Sequence, residues 1–275
     1  MEGEAPGNWL TQINSIGPWI LSLLALLQVW VLEAWRKWRT GKIEIHANQV
    51  EVGYGALGPV FSIFGTLRCT RNDVFVEEVR AQLVKERDNA KHSFTWLAVR
   101  PTTVSVTGES QEELEIASAF QVKKGNTRKF GFLFHEERFR EEHRPTLEEL
   151  EQQWIEYYRD SSEQIIDQAN GNNQQVPDRA TLSQHIFNRF VEDGHTTDEY
   201  TEMDRACYWE EGEYRVTVKV DSSNPDEVFE KYFSFDLYER EAEALRNNSM
   251  VAIRETCNQP HNYQFAYPNL EKVEE

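Results

Sequence analysis

One stretch constrains everything else in this chain. Ile16–Leu32 reads IGPWILSLLALLQVWVL, seventeen residues in which Gln28 is the only strongly polar side chain. At 1.5 Å per residue, a helix of that length is about 25 Å long, close to the roughly 30 Å hydrocarbon core of a bilayer. Trp9 and Trp19 flank the run on one side and Trp30, Trp35 and Trp38 on the other, so five of eight tryptophans fall in the first 38 residues. Indole is apolar with one polar N–H and collects at both edges of a spanning helix. Pro18 suits a first helical turn, where its missing N–H costs nothing. The pattern predicts a single transmembrane helix over 16–35.

Flanking charge predicts its orientation. Residues 1–15 carry Glu2 and Glu4 and no basic side chain, whereas residues 33–42 carry Arg36, Lys37, Arg39 and Lys42 against Glu33. The positive-inside rule puts the short segment 1–15 outside and the main domain in the cytoplasm, joined through a basic linker, 36–42. A cleaved signal peptide is one rival. It calls for a basic start and a small-x-small cleavage site, but here the start is acidic and the run ends in EAWRKWR. A surface-lying amphipathic helix is another, but the run is apolar on every side. A domain on the outer face would require the charge rule to fail.

The rest of the chain reads as folded and acidic. Of 275 residues, 39% are hydrophobic and 12% aromatic, too many for a disordered chain and enough for one large or two small domains. A net charge of -18 argues against a general nucleic-acid binder, which needs a basic footprint. Cys69, Cys207 and Cys257 are too far apart for a metal knuckle and too few for a disulfide framework. Residues 43–135 balance 11 acidic against 11 basic side chains, while 136–275 carry 33 against 14. That asymmetry suits a domain standing on an anionic inner leaflet with its acidic part held away. A solvated acidic surface that keeps the protein soluble explains it equally well.

Several segments alternate as half-buried strands. Residues 43–54 break at Ala47-Asn48 and read as a hairpin or two short strands, and Pro59–Thr70 as an apolar strand with a bulge at Gly65. Val79, Ala81 and Leu83 share one face, as do Phe94, Trp96 and Ala98. AFQVKKGNTRKFGFLF reads as a hairpin turning at Lys-Gly-Asn, with Phe130, Phe132 and Phe134 on one face. Later, Tyr214, Val216, Val218 and Val220 line one strand, and Phe229, Phe233, Phe235 and Leu237 its partner. Seven or more such strands predict a mainly β fold, a β-sandwich with helical additions. The KKGN hairpin leading into FGFLF, and WEEGEYRVTVKV with Gly212 and Tyr214, resemble strands of immunoglobulin-like domains. The resemblance covers about 43–134 and 208–237 and implies an immunoglobulin-like or arrestin-like sandwich, often an adaptor, and no chemistry.

A helical insertion separates the two strand groups. Thr146-Leu-Glu-Glu149 after Pro145 is a capping box, opening a helix with Leu147, Leu150, Trp154, Tyr157 or Tyr158, and Ile165 on one face. The polar loop Asn170–Gln175 follows, and Thr181–Gln184 forms a second box before Leu182, Ile186, Phe187 and Phe190. A further helix is expected at about 239–254, then a tail whose Tyr263, Phe265 and Tyr267 pack back on the domain. The organisation is thus 43–134 for the first part of the sandwich, 135–207 for an acidic insertion, 208–238 for closing strands and 239–275 for a helix and tail.

Motifs that carry chemistry are weak throughout. Gly53, Gly55 and Gly58 match G-x-G-x-x-G, but Pro59 and an apolar strand follow where a dinucleotide site needs a helix, so a glycine-rich turn is the better account. His135 and His143 bracket a carboxylate-rich stretch without zinc-helix spacing, and Asp193, His195, Asp198 and Glu199 lack the spacing of an EF-hand. Cys207 and Cys257 each have a histidine nearby in sequence, but no nucleophile elbow is present. The basic run RKWRTGK suits anionic lipid as well as topology, and Lys123, Lys124, Arg128 and Lys129 flank a turn at a strand edge that either touches the membrane or is solvated.

The sequence therefore predicts a membrane-anchored scaffold, adaptor or sensor module, not an enzyme, with no cofactor. Its expected partners are the lipid bilayer and a protein. Trp19, Trp30, Trp35, Arg36, Lys37, Trp38 and Arg39 form the expected anchor and interface. Trp154, Tyr157 and Tyr158 form the expected partner surface, since insertions on a rigid scaffold carry function. The alternative is a membrane-tethered, metal-dependent hydrolase using His135, His143 and the carboxylates of 193–199.

Overall fold

A computed structural model describes residues 28, 30, 31, 41–99, 115–172, 174–224 and 226–273. Among the described residues, ten strands run in chain order as β1 (Ile43–Gly55), β2 (Gly58–Cys69), β3 (Val74–Lys85), β4 (Lys91–Val99), β5 (Glu115–Ile116), β6 (Phe120–Val122), β7 (Thr127–His135), β8 (Gly212–Asn224), β9 (Asp226–Leu237) and β10 (Glu271–Lys272). Between β7 and β8 lie α1 (Glu137–Gly171), α2 (Arg179–Glu192) and α3 (Thr197–Ala206), and α4 (Glu239–Thr256) follows β9.

The fold is mainly β with helices, built on one nearly closed antiparallel sheet in the order β1-β2-β7-β4-β3-β8-β9-β10. Hydrogen bonding runs through it without a break, because β7 pairs with both β2 and β4, and β3 with both β4 and β8. The two separate sheets of the expected sandwich are therefore joined into one. Alternation in sequence is the same in either case, since it records which face is buried and not which edges meet.

The C-terminal tail closes most of the remaining gap. Ala266 and Asn269 bridge to Val52 and Gln49 of β1, and Glu271 and Lys272 pair with Ser234 and Phe233 of β9. The expected KKGN hairpin is instead a crossover. β6 pairs with the start of β3, and the turn then hands the chain to β7 between β2 and β4. Gly125, at φ +74°, makes that turn, where residues other than glycine are strained.

The inner face is aromatic. Phe61 packs edge-on against Phe94 at 4.6 Å between ring centres and stacks on Phe134 at 4.9 Å, and Trp96 meets Phe132 at 5.4 Å. Tyr214, Val216, Val218 and Val220 are all buried, as the alternation predicts. Each such side chain contributes roughly 1.5–3 kcal/mol by leaving water.

β1 is one continuous strand, not a hairpin. The bulge falls between Ala47 and Gln49, opposite Gly65 and not at it. A Cβ on Gly65 would lie 2.2 Å from the His46 carbonyl oxygen, so the glycine makes room for its partner's bulge.

Helix α1 starts at Glu137, nine residues before the expected capping box, and runs through Pro145. Proline's fixed φ is compatible with a helix, but it removes one backbone N–H and its ring crowds the carbonyl four residues back. Phe139 anchors this early part, its ring edge-on to Tyr54 at 5.9 Å. Helix α2 starts at Arg179, before the expected box. Asp178 caps it, accepting from the Ala180 and Thr181 amides at 3.0 and 3.1 Å.

Candidate functional site

The helices have a core of their own. Leu150 and Trp154 of α1, Leu182, Ile186, Phe187 and Phe190 of α2, and Ile253 and Cys257 at the end of α4 form a buried cluster separate from the sheet's. Trp154 meets Phe187 and Phe190 edge-on at 5.7 and 5.4 Å, and the Arg254 guanidinium lies 5.2 Å over the Phe187 ring. Trp154 is only 6% exposed, so the most prominent residue of the expected partner surface is chiefly a core residue. An amphipathic α1 turns its largest apolar side chain inward, and a sequence reading of that face cannot say how much of its edge stays open.

Part of it does stay open. A cavity of about 480 Å³ lies where α1, the start of α2 and the segment after α4 meet, with Trp154, Tyr158, Arg179, Ser183 and Gln259 among its lining. Its far wall is held by the end of α4. Asn258 adopts φ +54°, its amide bonds the Glu255 carbonyl at 2.9 Å, and the Gln259 amide bonds the Arg254 carbonyl at 2.8 Å. This paired capping satisfies carbonyls that a helix end leaves open. Gln259 is buried and donates from Nε2 to Ser183 Oγ and to the Cys257 carbonyl, both at 3.0 Å. The cavity is thus lined by two aromatic residues, a fixed amide and Arg179. Ile155, half exposed on α1, adds apolar surface to the insertion.

Tyr157 faces another neighbour. Its hydroxyl donates to Asp193 at 2.6 Å, and burial together with that carboxylate raises its pKa. His195 stacks on Phe190 at 4.9 Å. Of the expected surface, then, Trp154 and Tyr158 line the cavity and Tyr157 ties α1 to the end of α2.

The residues of the hydrolase alternative are dispersed. His135 is buried, and desolvation followed by the Arg140 charge lowers its pKa, so it stays neutral near pH 7. His143 meets Glu202 of α3 at 2.6 Å, while Asp193 and His195 serve the contacts above. Among the described residues, no three of His, Cys, Asp and Glu converge in a way that could hold a metal ion. The sequence did not signal α3, whose acidic stretch buries only Met203, or the stacked pair His92 and Tyr208 at 3.7 Å between ring centres. His92 also reaches Glu136 at 3.3 Å, where β7 gives way to α1.

The three glycines of G-x-G-x-x-G flank the β1–β2 turn, Gly53 and Gly55 in β1 and Gly58 opening β2, and their spacing has a packing cause. A Cβ on Gly53 would meet Phe265 at 2.8 Å, one on Gly55 would meet Tyr263 at 2.9 Å, and one on Gly58 would meet Phe139 at 2.1 Å. β2 follows directly where a dinucleotide site needs a helix N-terminus.

Of the expected anchor residues, Trp30 is described, helical and 72% exposed. Trp19, Trp35, Arg36, Lys37, Trp38 and Arg39 lie outside the described residues, as does most of the 16–35 span. Among the described residues, no helix is long and apolar enough to cross a membrane. No protein-family model, curated protein or solved structure matches this chain.

Proposed function

We propose that the chain is a membrane-anchored binding module. On this reading, residues 16–35 fix it in a bilayer with residues 1–15 outside, and the β domain works in the cytoplasm as a scaffold or sensor for a protein partner. The observation that carries the reading is the open cavity on the insertion. It is lined by Trp154 and Tyr158, and it sits on a helical unit with its own core, away from the sheet. Aromatic side chains in a preformed recess give large contact area for little ordering cost, which favours recognition of an apolar segment of a partner. The missing convergence of metal donors among the described residues turns the reading away from the hydrolase.

The test is capture from gently solubilised membranes with the full chain and with Ser183→Trp, which fills the cavity from α2. A protein held by the wild type and lost with Ser183→Trp, but kept with the control Glu227→Gln, supports the cavity as the binding surface. Identical sets of captured proteins in all three would overturn it. Protease protection in intact cells and in lysed ones checks the orientation, since all three cysteines are buried and thiol reagents would not reach them.

A further inference from the structure

Four chain segments that are scattered in sequence meet at one end of the sheet. β1 starts there, with the Lys42 carbonyl accepting from the Thr70 amide at 3.0 Å. β2 ends there, and Cys69 exchanges backbone bonds with the turn before β7, to Asn126 at 3.3 Å and from Gly125 at 2.9 Å. β3 begins there, with Val74 paired to Val122. The result brings Lys42, Arg68, Arg71, Lys123, Lys124 and Arg128 to a single end, each of them exposed.

Acidic groups stand at this end as well, with Asp73 already engaged. Asp73 accepts from the Lys124 amide at 2.8 Å and from Gln121 Nε2 at 3.1 Å. Glu44 stands opposite Arg68, and Asp226 and Glu227 lie at the β8–β9 turn, beside the start of β3, where Phe75 pairs with Asn224. The opposite end of the sheet is where β7 leads into α1, α3 leads into β8 and β9 leads into α4, so the acidic helical chain departs from there.

We infer that this basic end is a docking surface for an anionic lipid bilayer. The inference rests on the anchored reading, because the chain enters the sheet at this same end. Eight residue steps separate Trp35 from Ile43, a reach of at most about 29 Å, and Arg36, Lys37 and Arg39 lie along it.

The net charge of -18 opposes such contact, and distance decides between the two effects. β1 alone is 13 residues, about 43 Å when extended, several times the roughly 8 Å screening length at physiological salt. Charges at the far end are screened from the bilayer, while those at the near end act on it. Each basic residue close to such a surface multiplies binding by about fivefold.

The full chain in nanodiscs tests this directly. Lysine acetylation is read by mass spectrometry in phosphatidylcholine discs and in discs that also contain phosphatidylserine, and alkaline extraction of the chain from vesicles of both compositions is run in parallel. Labelling of Lys123, Lys124 and Lys129 is expected to fall several-fold in the anionic discs and to recover in high salt. Lys219, on the side of β8, serves as the unchanged reference. The double variant Lys123→Glu, Lys124→Glu should lose the protection at Lys129.

Equal labelling in both discs, in a chain that resists alkaline extraction, overturns the docking surface and leaves the anchor standing. A chain that is extracted at alkaline pH, yet is protected by anionic vesicles, supports the surface and sinks the anchor. Protection by added RNA or DNA without protection by anionic lipid would assign the surface to nucleic acid and overturn the inference.

Discussion

Trp209 Nε1 donates to the Gly53 carbonyl at 2.9 Å, joining the entry of β8 to the end of β1 across 156 residues. Trp209 is fully buried, and its ring meets Tyr214 edge-on at 5.5 Å. Trp209→Phe keeps most of the bulk but leaves the Gly53 carbonyl without its donor. The expected cost is about 1–3 kcal/mol, the penalty for an unsatisfied buried polar group. Trp209→Ala adds a cavity and should cost about 3–5 kcal/mol. Equilibrium urea unfolding measures both, and a Trp209→Phe variant as stable as the wild type would show that the hydrogen bond carries nothing.

Gly58 and Phe139 make a second long-range fit. Gly58 holds φ +80°, and an added Cβ would sit 2.1 Å from the Phe139 ring. Gly58→Ala therefore carries two penalties, about 1 kcal/mol of backbone strain and a clash with the start of α1. Phe139→Ala relieves only the clash. In a double-mutant cycle the pair should be less destabilised than the sum of the single variants, with a coupling of about 1 kcal/mol or more. Strict additivity would mean that α1 shifts freely to make room.

Much of the core could be read from sequence because burial has a period. Phe130, Phe132 and Phe134, or Tyr214 through Val220, declare a buried face on their own. Pairing has no such local mark. Nothing near Lys123–Asn126 says that β6 belongs to β3 while β7 belongs to β2 and β4, so a crossover looks like a hairpin. The spacing of Gly53, Gly55 and Gly58 is set by rings at 263, 265 and 139, far beyond any local window. The site was half visible. Trp154 and Tyr158 stood out as an aromatic face, but Ser183, Gln259 and the left-handed Asn258 that complete the cavity come from helix ends with no apolar signal.

Alkaline pH should unfold this protein through groups that burial keeps protonated. Burial pushes the Cys207 thiol up to about 11 and the Cys257 thiol up to about 12, from an ordinary 9.0, and Tyr214 up to about 12 from 10.0. A folded-state pKa above the unfolded one gives stability that is complete below the unfolded value and lost as pH rises toward the folded one. Stability should be unaffected by these groups through neutral pH and fall above pH 9. Each titrating group then contributes roughly 1 kcal/mol per pH unit. Cys257→Ala should flatten the slope between pH 9 and 12, as read by urea midpoints at successive pH values. An unchanged slope would show that Cys257 already ionises in the folded protein.

The tail that closes the sheet hangs on one amide. Asn248 of α4 is fully buried, donates from Nδ2 to the Gln264 carbonyl at 2.7 Å and accepts from the Gln264 amide at 3.0 Å. Two residues on, Ala266 and Val52 exchange both backbone bonds, at 2.8 and 2.9 Å. Asn248→Ala removes both anchors at Gln264 and should cost about 1–3 kcal/mol. Its sharper signature is local. Hydrogen exchange at the Ala266 and Val52 amides should speed up by far more than at Val79 or Val218, whose β3–β8 pairing does not involve the tail. Asn248→Asp keeps an acceptor for the Gln264 amide but loses the donor and buries a carboxyl group, so it should be less stable at pH 7 than at pH 4, where that group is protonated more of the time. Uniform acceleration of exchange across the sheet in Asn248→Ala would show that the tail and the sheet open as one unit.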